Sequence, residues 1–283
     1  MLAISGRLPL VSPAAFHYGG GALWMTTSRH AAKLTLARRD PRAAFLVTAE
    51  PRSRVRGVLL QGLLEAYDPR SLRSQLRAAL HGPGFAFNLA GYALKNVAFI
   101  GGYILDLARI PGDWWPHNRV LLRMVPDRVS LVEALRPGPA AVERIPGTPA
   151  QVAHAVGRHR TAQLCWIESG RPVLATAAWA LDGQDALAWL PDGTASPRER
   201  APAALLVEHH HPYRATRMLG VCLRGWLRPE PEAREALARR YGDGLPDGGI
   251  AVRLEPARQT WWRGFEVRTR PVERPALPSL RVP

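Results

Sequence analysis

Apolar residues fall along this chain in short blocks of five to ten, bounded by glycine, proline or charge, and that spacing predicts mostly strands. Residues 7–11 and 22–26 read as strands, with Gly19-Gly-Gly21 as a turn between them. Residues 31–40 carry Leu34, Leu36 and Ala37 among basic side chains and stop at Pro41, which predicts a short helix. Strands follow over 43–48 and 55–64, then a helix over 71–80 with arginines on its outer face, and the last strands of the unit over 119–132. The same plan returns later, with strands over 171–180, 186–190, 203–209 and 219–227, a helix over 232–241 and a final strand pair over 250–267. Many short strands with few helices predict a mainly β fold, closed or curled into barrels.

The pattern also repeats in detail. Pro41 precedes Pro51 by ten residues, ahead of Gly57-Val-Leu-Leu-Gln-Gly62; Pro202 precedes Pro212 by ten, ahead of Gly220-Val-Cys-Leu-Arg-Gly225. Arg123-Met-Val-Pro126-Asp-Arg128 is echoed by Arg253-Leu-Glu-Pro256-Ala-Arg258. Three ordered matches indicate a duplicated unit, a pseudo-dimer within one chain, with functional residues expected where the halves face each other. The expected division is a first repeat over 1–136, a linker rich in proline over 137–160 with a short helix near 149–157, a second repeat over 161–272 and a Pro-rich tail over 273–283. The first repeat is longer by about 33 residues, most of them in the apolar segment 85–110, expected as a helical insert near 84–116. Asn88, Lys95 and Asp106 interrupt that segment and Gly91, Gly101 and Gly102 weaken it. It reads as one or two helices packed on the barrel, ahead of a lid over a ligand, and against membrane contact.

Composition narrows the function classes. A formal charge of +15 at pH 7 would suit an anionic partner. The basic residues are scattered, however, and no nucleic-acid-binding motif is present, which argues against nucleic acid. Lys33 and Lys95 are the only lysines, so arginine supplies almost all the charge. Cys165 and Cys222 lack disulfide or metal spacing and read as core thiols of a reducing compartment. Met1-Leu-Ala-Ile-Ser-Gly-Arg7 has no signal-peptide pattern, so the expected location is cytoplasmic. The run His209-His-His211 alternates faces on a strand and has no suitably spaced carboxylate or cysteine, so no metal site is expected there.

Three segments carry a resemblance. Thr27-Ser-Arg-His-Ala-Ala-Lys33, eight residues before Pro41, then Arg56-Gly-Val-Leu-Leu-Gln-Gly62, then Pro256-Ala-Arg-Gln-Thr-Trp-Trp262-Arg-Gly264 with Arg268 four further on, resemble the pyridoxamine 5'-phosphate oxidase-like, FMN-binding split-barrel family. The resemblance implies a tandem split β-barrel with FMN, or alternatively a deazaflavin coenzyme or haem, between the repeats. It implies cofactor contacts from Thr26, Thr27, Ser28, Lys33 and Arg56 of the first repeat and from Trp262 and Arg268 of the second. The complementary site looks lost, because Val132 stands where the second repeat has Trp262 and Asp192-Gly-Thr-Ala-Ser-Pro-Arg-Glu-Arg200 replaces the lysine-bearing helix. Ala31, Ala32 and Gly57 depart from the family pattern, and Arg268-Thr-Arg-Pro271 lacks its histidine, which argues against pyridoxamine phosphate oxidation itself.

Residue types alone also fit plainer roles: a solvated basic turn capped by Thr27 or Ser28, and a tryptophan packed in a core or interface. The expected function is a flavin- or deazaflavin-dependent oxidoreductase acting on a small-molecule substrate, as a monomeric pseudo-dimer or a homodimer, with no side chain assigned as acid or base. The alternatives are a non-enzymatic haem- or flavin-binding protein, with His30 or one of His209 to His211 as an axial ligand, and a ligand-free relative whose insert fills the cleft.

Overall fold

The computed structural model describes residues 1–48, 57–132, 135–194, 197 and 199–273. Its first sheet is built from β1 (Leu2–Ile4), β2 (Leu10–Ser12), β3 (Phe16–Gly19), β4 (Ala22–Ser28), β5 (Arg42–Val47), β6 (Gly57–Tyr67) and β7 (Arg119–Val132), in the order β2-β1-β5-β6-β7-β4-β3. Its two ends, β2 and β3, are consecutive in the chain and separated only by Pro13-Ala-Ala15, so the sheet curls almost onto itself. Pro13 lacks the N–H that would carry β2 on into β3. Helix α1 (Ala32–Arg39) seats Leu34 and Ala37 in this barrel's core with Leu23, Met25 and Phe45. After α2 (Leu72–Leu80) the insert forms α3 (Pro83–Lys95) and α4 (Val97–Leu105), and Phe85 of α3 packs on Trp24 and Tyr67.

The second sheet follows α5 (Ala150–Gly157) and comprises β8 (Thr161–Glu168), β9 (Arg171–Asp182), β10 (Asp185–Leu190), β11 (Ala201–His209), β12 (Leu219–Pro229), β13 (Ile250–Arg263) and β14 (Glu266–Pro271), with α6 (Ala233–Tyr241) after β12. The order is β10-β9-β8-β11-β12-β13-β14, and β10 also pairs with β13, closing a six-stranded barrel with β14 outside it. The fold is therefore mainly β, a tandem split barrel. Residues 135–149 and α5 lie on this second barrel: Ile145, Val152 and Val156 enter its core and Leu135 packs on Leu187 and Trp189.

The duplication is visible in the hydrogen-bond register. In the β6–β7 pair a bulge falls between Gln61 and Gly62, with Gly62 opposite Pro126; in the β12–β13 pair it falls between Arg224 and Gly225, with Gly225 opposite Pro256. Five residues before each of these glycines, Gly57 stands opposite Val132 and Gly220 opposite Trp262. The proline match is one residue out of register, since Ala43 faces Gly62 and Ala203 faces Gly225, aligning Pro202 with Arg42 rather than with Pro41. Pro51 and Pro212 differ in standing, because Pro51 lies outside the described residues.

Strands β1, β3 and β8 have no counterpart in the sequence expectations. The first two are short, and β8 mixes polar Gln163 and Glu168 into its apolar run. The repeats meet along an apolar cluster that draws Ala3, Val11, Ala44, Leu46 and Leu59 from the first and Cys165, Leu174, Ala204, Leu206 and Cys222 from the second. Its contacts are reciprocal: β9 lies on β5, β6 and β1, and β2 lies on β11, β12 and β8. That is the pattern of an isologous interface held within one chain.

Candidate functional site

Adjacent strand residues point to opposite faces, and Trp261 and Trp262 divide accordingly. Trp261 packs against the core of the second barrel, whereas Trp262 packs against the inter-repeat cluster. Across the strands from Trp262 stands Gly220, and across from Gly220 stands Glu208, so the three form one row on the face turned to the first repeat. A Cβ on Gly220 would run into the Trp262 indole, so glycine is what lets the ring lie flat across β12. The corresponding first-repeat row has Gly57 beneath Val132, without an aromatic ring.

Lys33 of α1 meets this row. Burial lowers its pKa to about 8, the nearby Arg119 pushes the same way, and Glu208 is near enough to pull it back up. Glu208 shows the counterpart: burial raises its pKa to about 7, against the pull of the Met1 amine and Lys33. Burial likewise lowers the Met1 amine to about 5, with Glu208 opposing. All three groups are driven toward their neutral forms, so desolvation outweighs mutual attraction. Their polar atoms are poorly partnered. Glu208 Oε2 is buried with no hydrogen bond, and Lys33 Nζ has one long contact, 3.5 Å to the Pro13 carbonyl. The Met1 amine donates to the Leu46 carbonyl at 2.7 Å.

These shifts give a pH prediction. A carboxyl whose folded pKa is raised holds its proton longer in the native state, so its contribution to stability declines as pH climbs from the unfolded value of about 4.3 to about 7. The lowered Met1 amine acts in the opposite sense, its contribution rising with pH between about 5 and 8. In Glu208→Gln only the first effect is lost. Urea unfolding at pH 5 and at pH 7.5 should therefore show the variant gaining stability relative to the parent as pH rises; a constant difference would contradict the assignment.

The threonine and serine positions lie elsewhere. Thr27 alternates with Leu23 and Met25, whose side chains form the first barrel's core; it is buried, and its Oγ1 has no partner. Thr26 and Ser28 face the insert. Thr26 Oγ1 and Tyr92 Oη are 3.0 Å apart, and Ser28 Oγ donates to the Asp113 carbonyl at 2.6 Å while accepting from the His30 amide. Arg56 lies outside the described residues. Arg268 is exposed on β14 opposite Trp261, and so shares that residue's strand face rather than that of Trp262. Lys33 is thus within electrostatic reach of Glu208, which shares a strand row with Trp262, while Thr26, Thr27, Ser28 and Arg268 lie on other faces.

The insert closes over the junction. Asp106, at the end of α4, accepts from Arg214 Nε at 2.8 Å, from a second Arg214 nitrogen and from Thr216 Oγ1 at 2.6 Å. The Arg214 hydrogen bonds hold its carboxyl down to about 2. Phe265, in the β13–β14 turn, sits edge-on to Tyr103 and tilted against Trp114. Beside this clasp is an open cleft of about 540 Å³ lined by Arg109, Arg214, Thr216, Arg217, Arg263 and Phe265. A second cleft, of about 400 Å³, is lined by His154, Ala155, Arg158, His159 and His209, with His159 Nε2 3.2 Å from His209 Nδ1. His211 instead accepts from the Tyr213 and Arg214 amides, and His30 lies 3.9 Å from Asp113 at the surface.

Glu208 is the residue that sequence reasoning missed. A signal existed: it is the one acidic side chain in the apolar run 203–208, next to the histidine run, where a solvent-facing strand end would read the same way.

No family model matches the chain, and no curated protein matches it. Solved structures similar to it include a haem-binding protein from Mycobacterium smegmatis at 14% identity, covering 44% of this chain and 59% of that one with a TM-score of 0.35. An FAD-binding protein from the same organism is 17% identical over 41% of this chain and 94% of its own, with a TM-score of 0.32. A Listeria innocua protein assigned as a pyridoxamine 5'-phosphate oxidase is 15% identical over 47% and 86%, with a TM-score of 0.28.

Proposed function

We propose that the chain binds a planar redox cofactor of the flavin or deazaflavin class, FMN first among them, at the junction of its two repeats, and acts as an oxidoreductase on a small molecule. The observation that carries this reading is the pairing of Lys33 from the first repeat with Glu208 from the second, where Glu208 Oε2 is buried without a donor and Lys33 Nζ has one long contact, with Trp262 two strands along from Glu208 in the same row. Unfilled hydrogen-bonding capacity beside an aromatic wall suits a flat ring with a polar edge. Lys33 would donate to that edge or to a phosphate, Glu208 would hold or release a proton there, and Trp262 would limit ring movement and water. Among the described members of the expected phosphate grip, Lys33 and Thr27 have donors to spare, and Thr27 lies toward the first barrel's core. Bound, such a cofactor supplies the hydride chemistry and the protein supplies position and charge. Cys165 and Cys222, buried and unbridged, suit the reducing cytoplasm that this reading assigns.

One observation favours a second reading, a non-enzymatic haem-binding protein: His154, His159 and His209 share a cleft, and imidazole is an axial ligand of haem iron. Absorbance separates the two. A flavin absorbs at about 450 nm, a deazaflavin at about 420 nm, and haem shows a Soret band. Protein that stays colourless after incubation with each would remove the redox reading. For the junction site, Lys33→Ala and Trp262→Ala should each weaken FMN binding by about tenfold or more, while Val132→Ala changes it little. Equal losses at Trp262 and Val132, read by fluorescence titration, would overturn the one-site asymmetry.

A further inference from the structure

Helix α2 and the insert after it present apolar side chains to solvent. Along α2, Leu72, Leu76 and Leu80 repeat every four residues on one face and are 71%, 61% and 87% exposed, while Ser74 is the buried residue of the helix. Exposed apolar side chains recur along α3 and α4, where Phe87 is 76%, Leu94 74% and Leu105 77% exposed, with Val97 and Ile104 between them in sequence. Both α3 and α4 are apolar on the packed side too, through Phe85, Tyr92 and Tyr103. Isolated exposed leucines are ordinary on a protein surface, but large apolar side chains exposed on each of three successive helices mark a docking surface.

The charge pattern identifies what docks. From Asp68 to Asp106 the chain has no intervening acidic residue, yet it carries Arg70, Arg73, Arg77 and Lys95, in a protein of formal charge +15. Trp115, in the turn after the insert, is 40% exposed. Apolar side chains projecting from helices, cations without anions beside them and a flanking tryptophan are the features of a helix surface that lies in a lipid interface. A second copy of this chain would place the same arginines against one another. No helix among the described residues is long and apolar enough to cross a membrane, so the geometry is that of surface docking. The asparagine, lysine and glycines that interrupt a span do not obstruct such docking.

We propose that α2, α3 and α4 form a face that docks onto anionic lipid bilayers, burying Leu76, Leu80 and Phe87 below the headgroups with Arg73 and Lys95 among the phosphates. This would hold whether or not a cofactor occupies the junction of the repeats, and it places that junction close to a membrane surface.

The test is flotation of the full chain with vesicles of phosphatidylcholine alone and with about one-third phosphatidylglycerol. The chain should float with the anionic vesicles, weakly with the neutral ones, and less as salt is raised from about 0.05 to about 0.5 M. Leu76→Ser, Leu80→Ser and Phe87→Ser combined should reduce partitioning at least about tenfold while thermal unfolding stays close to the parent's. Val129→Ser, exposed on β7 away from the insert, should change it little. The proposal is overturned if the parent fails to float with either vesicle, or if the triple variant floats as the parent does. It is overturned equally if sedimentation shows the parent to be a dimer that the triple variant abolishes, because the face is then an interface between copies.

Discussion

Arg240→Ala should lower the unfolding free energy by about 2–3 kcal/mol, measured by urea unfolding of the purified chain. Arg240 is 5% exposed and donates from Nε to the Ala141 carbonyl at 3.0 Å and from Nη2 to the Gly157 and His159 carbonyls at 2.9 and 3.0 Å. A further nitrogen reaches the Trp179 carbonyl, and the guanidinium lies 4.2 Å from the Trp179 ring centroid. The side chain therefore ties α6, the segment before α5 and the end of α5 to β9. Removing it leaves the Ala141 carbonyl without a donor and takes one donor each from Gly157, His159 and Trp179, which keep the Glu143 amide, the Trp179 indole and the Tyr241 hydroxyl, whereas the nearest carboxylate, Glu143 at 3.9 Å, contributes little. Arg240→Lys should recover only a minor part, since an ammonium cannot present the planar fork that reaches all four acceptors. A loss below about 1 kcal/mol would show that these carbonyls find other donors.

Arg240 also shows where reading the chain in one dimension stops. Its position in a helix over 232–241 is legible from periodicity, and so are the strands over 119–132 and 219–227, because a strand's pattern is local. The duplication was legible too, since glycines and prolines needed for one bulge recur twice. Partners sixty to a hundred residues away leave no local trace: Arg240 looks like one more arginine in an arginine-rich helix. The candidate site divides in the same way. Lys33 and Trp262 stand out by spacing, and Glu208 relates them, acting electrostatically on Lys33 and sharing a strand row with Trp262. The opposite orientations of Thr26 and Thr27 depend on which face of β4 the insert covers, and Glu208 depends on a three-strand row and on an amine at the far end of the chain. A helix over 71–80 with arginines on its outer face leaves its leucines for the packed side. Leu72, Leu76 and Leu80 are instead exposed along with Arg73, because Ser74 and Ala78 are the residues small enough to approach β6 and Trp24.

Gly62→Ala and Gly225→Ala should each destabilise by about 2–3 kcal/mol, and by similar amounts. At both positions a Cβ would fall on backbone: the Val125 carbonyl and Pro126 Cα for Gly62, the Glu255 carbonyl and Pro256 Cα for Gly225. Backbone in the middle of a strand pair cannot rotate away as a side chain can, so the cost is a displaced strand or a lost bulge. The bulge bends β7 and β13 toward their own barrels, and each opposite proline, unable to donate to the ladder, fits where the register slips. Gly84→Ala is the control. It lies in α3 with nothing within 4 Å of a new Cβ, and should stabilise by about 0.5–1 kcal/mol through helix propensity. Each variant is read by chemical denaturation. If only one of the two bulge glycines were costly, the repeats would not share the strain that their register implies. Matched losses would mean that one bulge has been used twice, in repeats that differ five residues away, Val132 in one and Trp262 in the other, as they differ in the insert and in barrel closure.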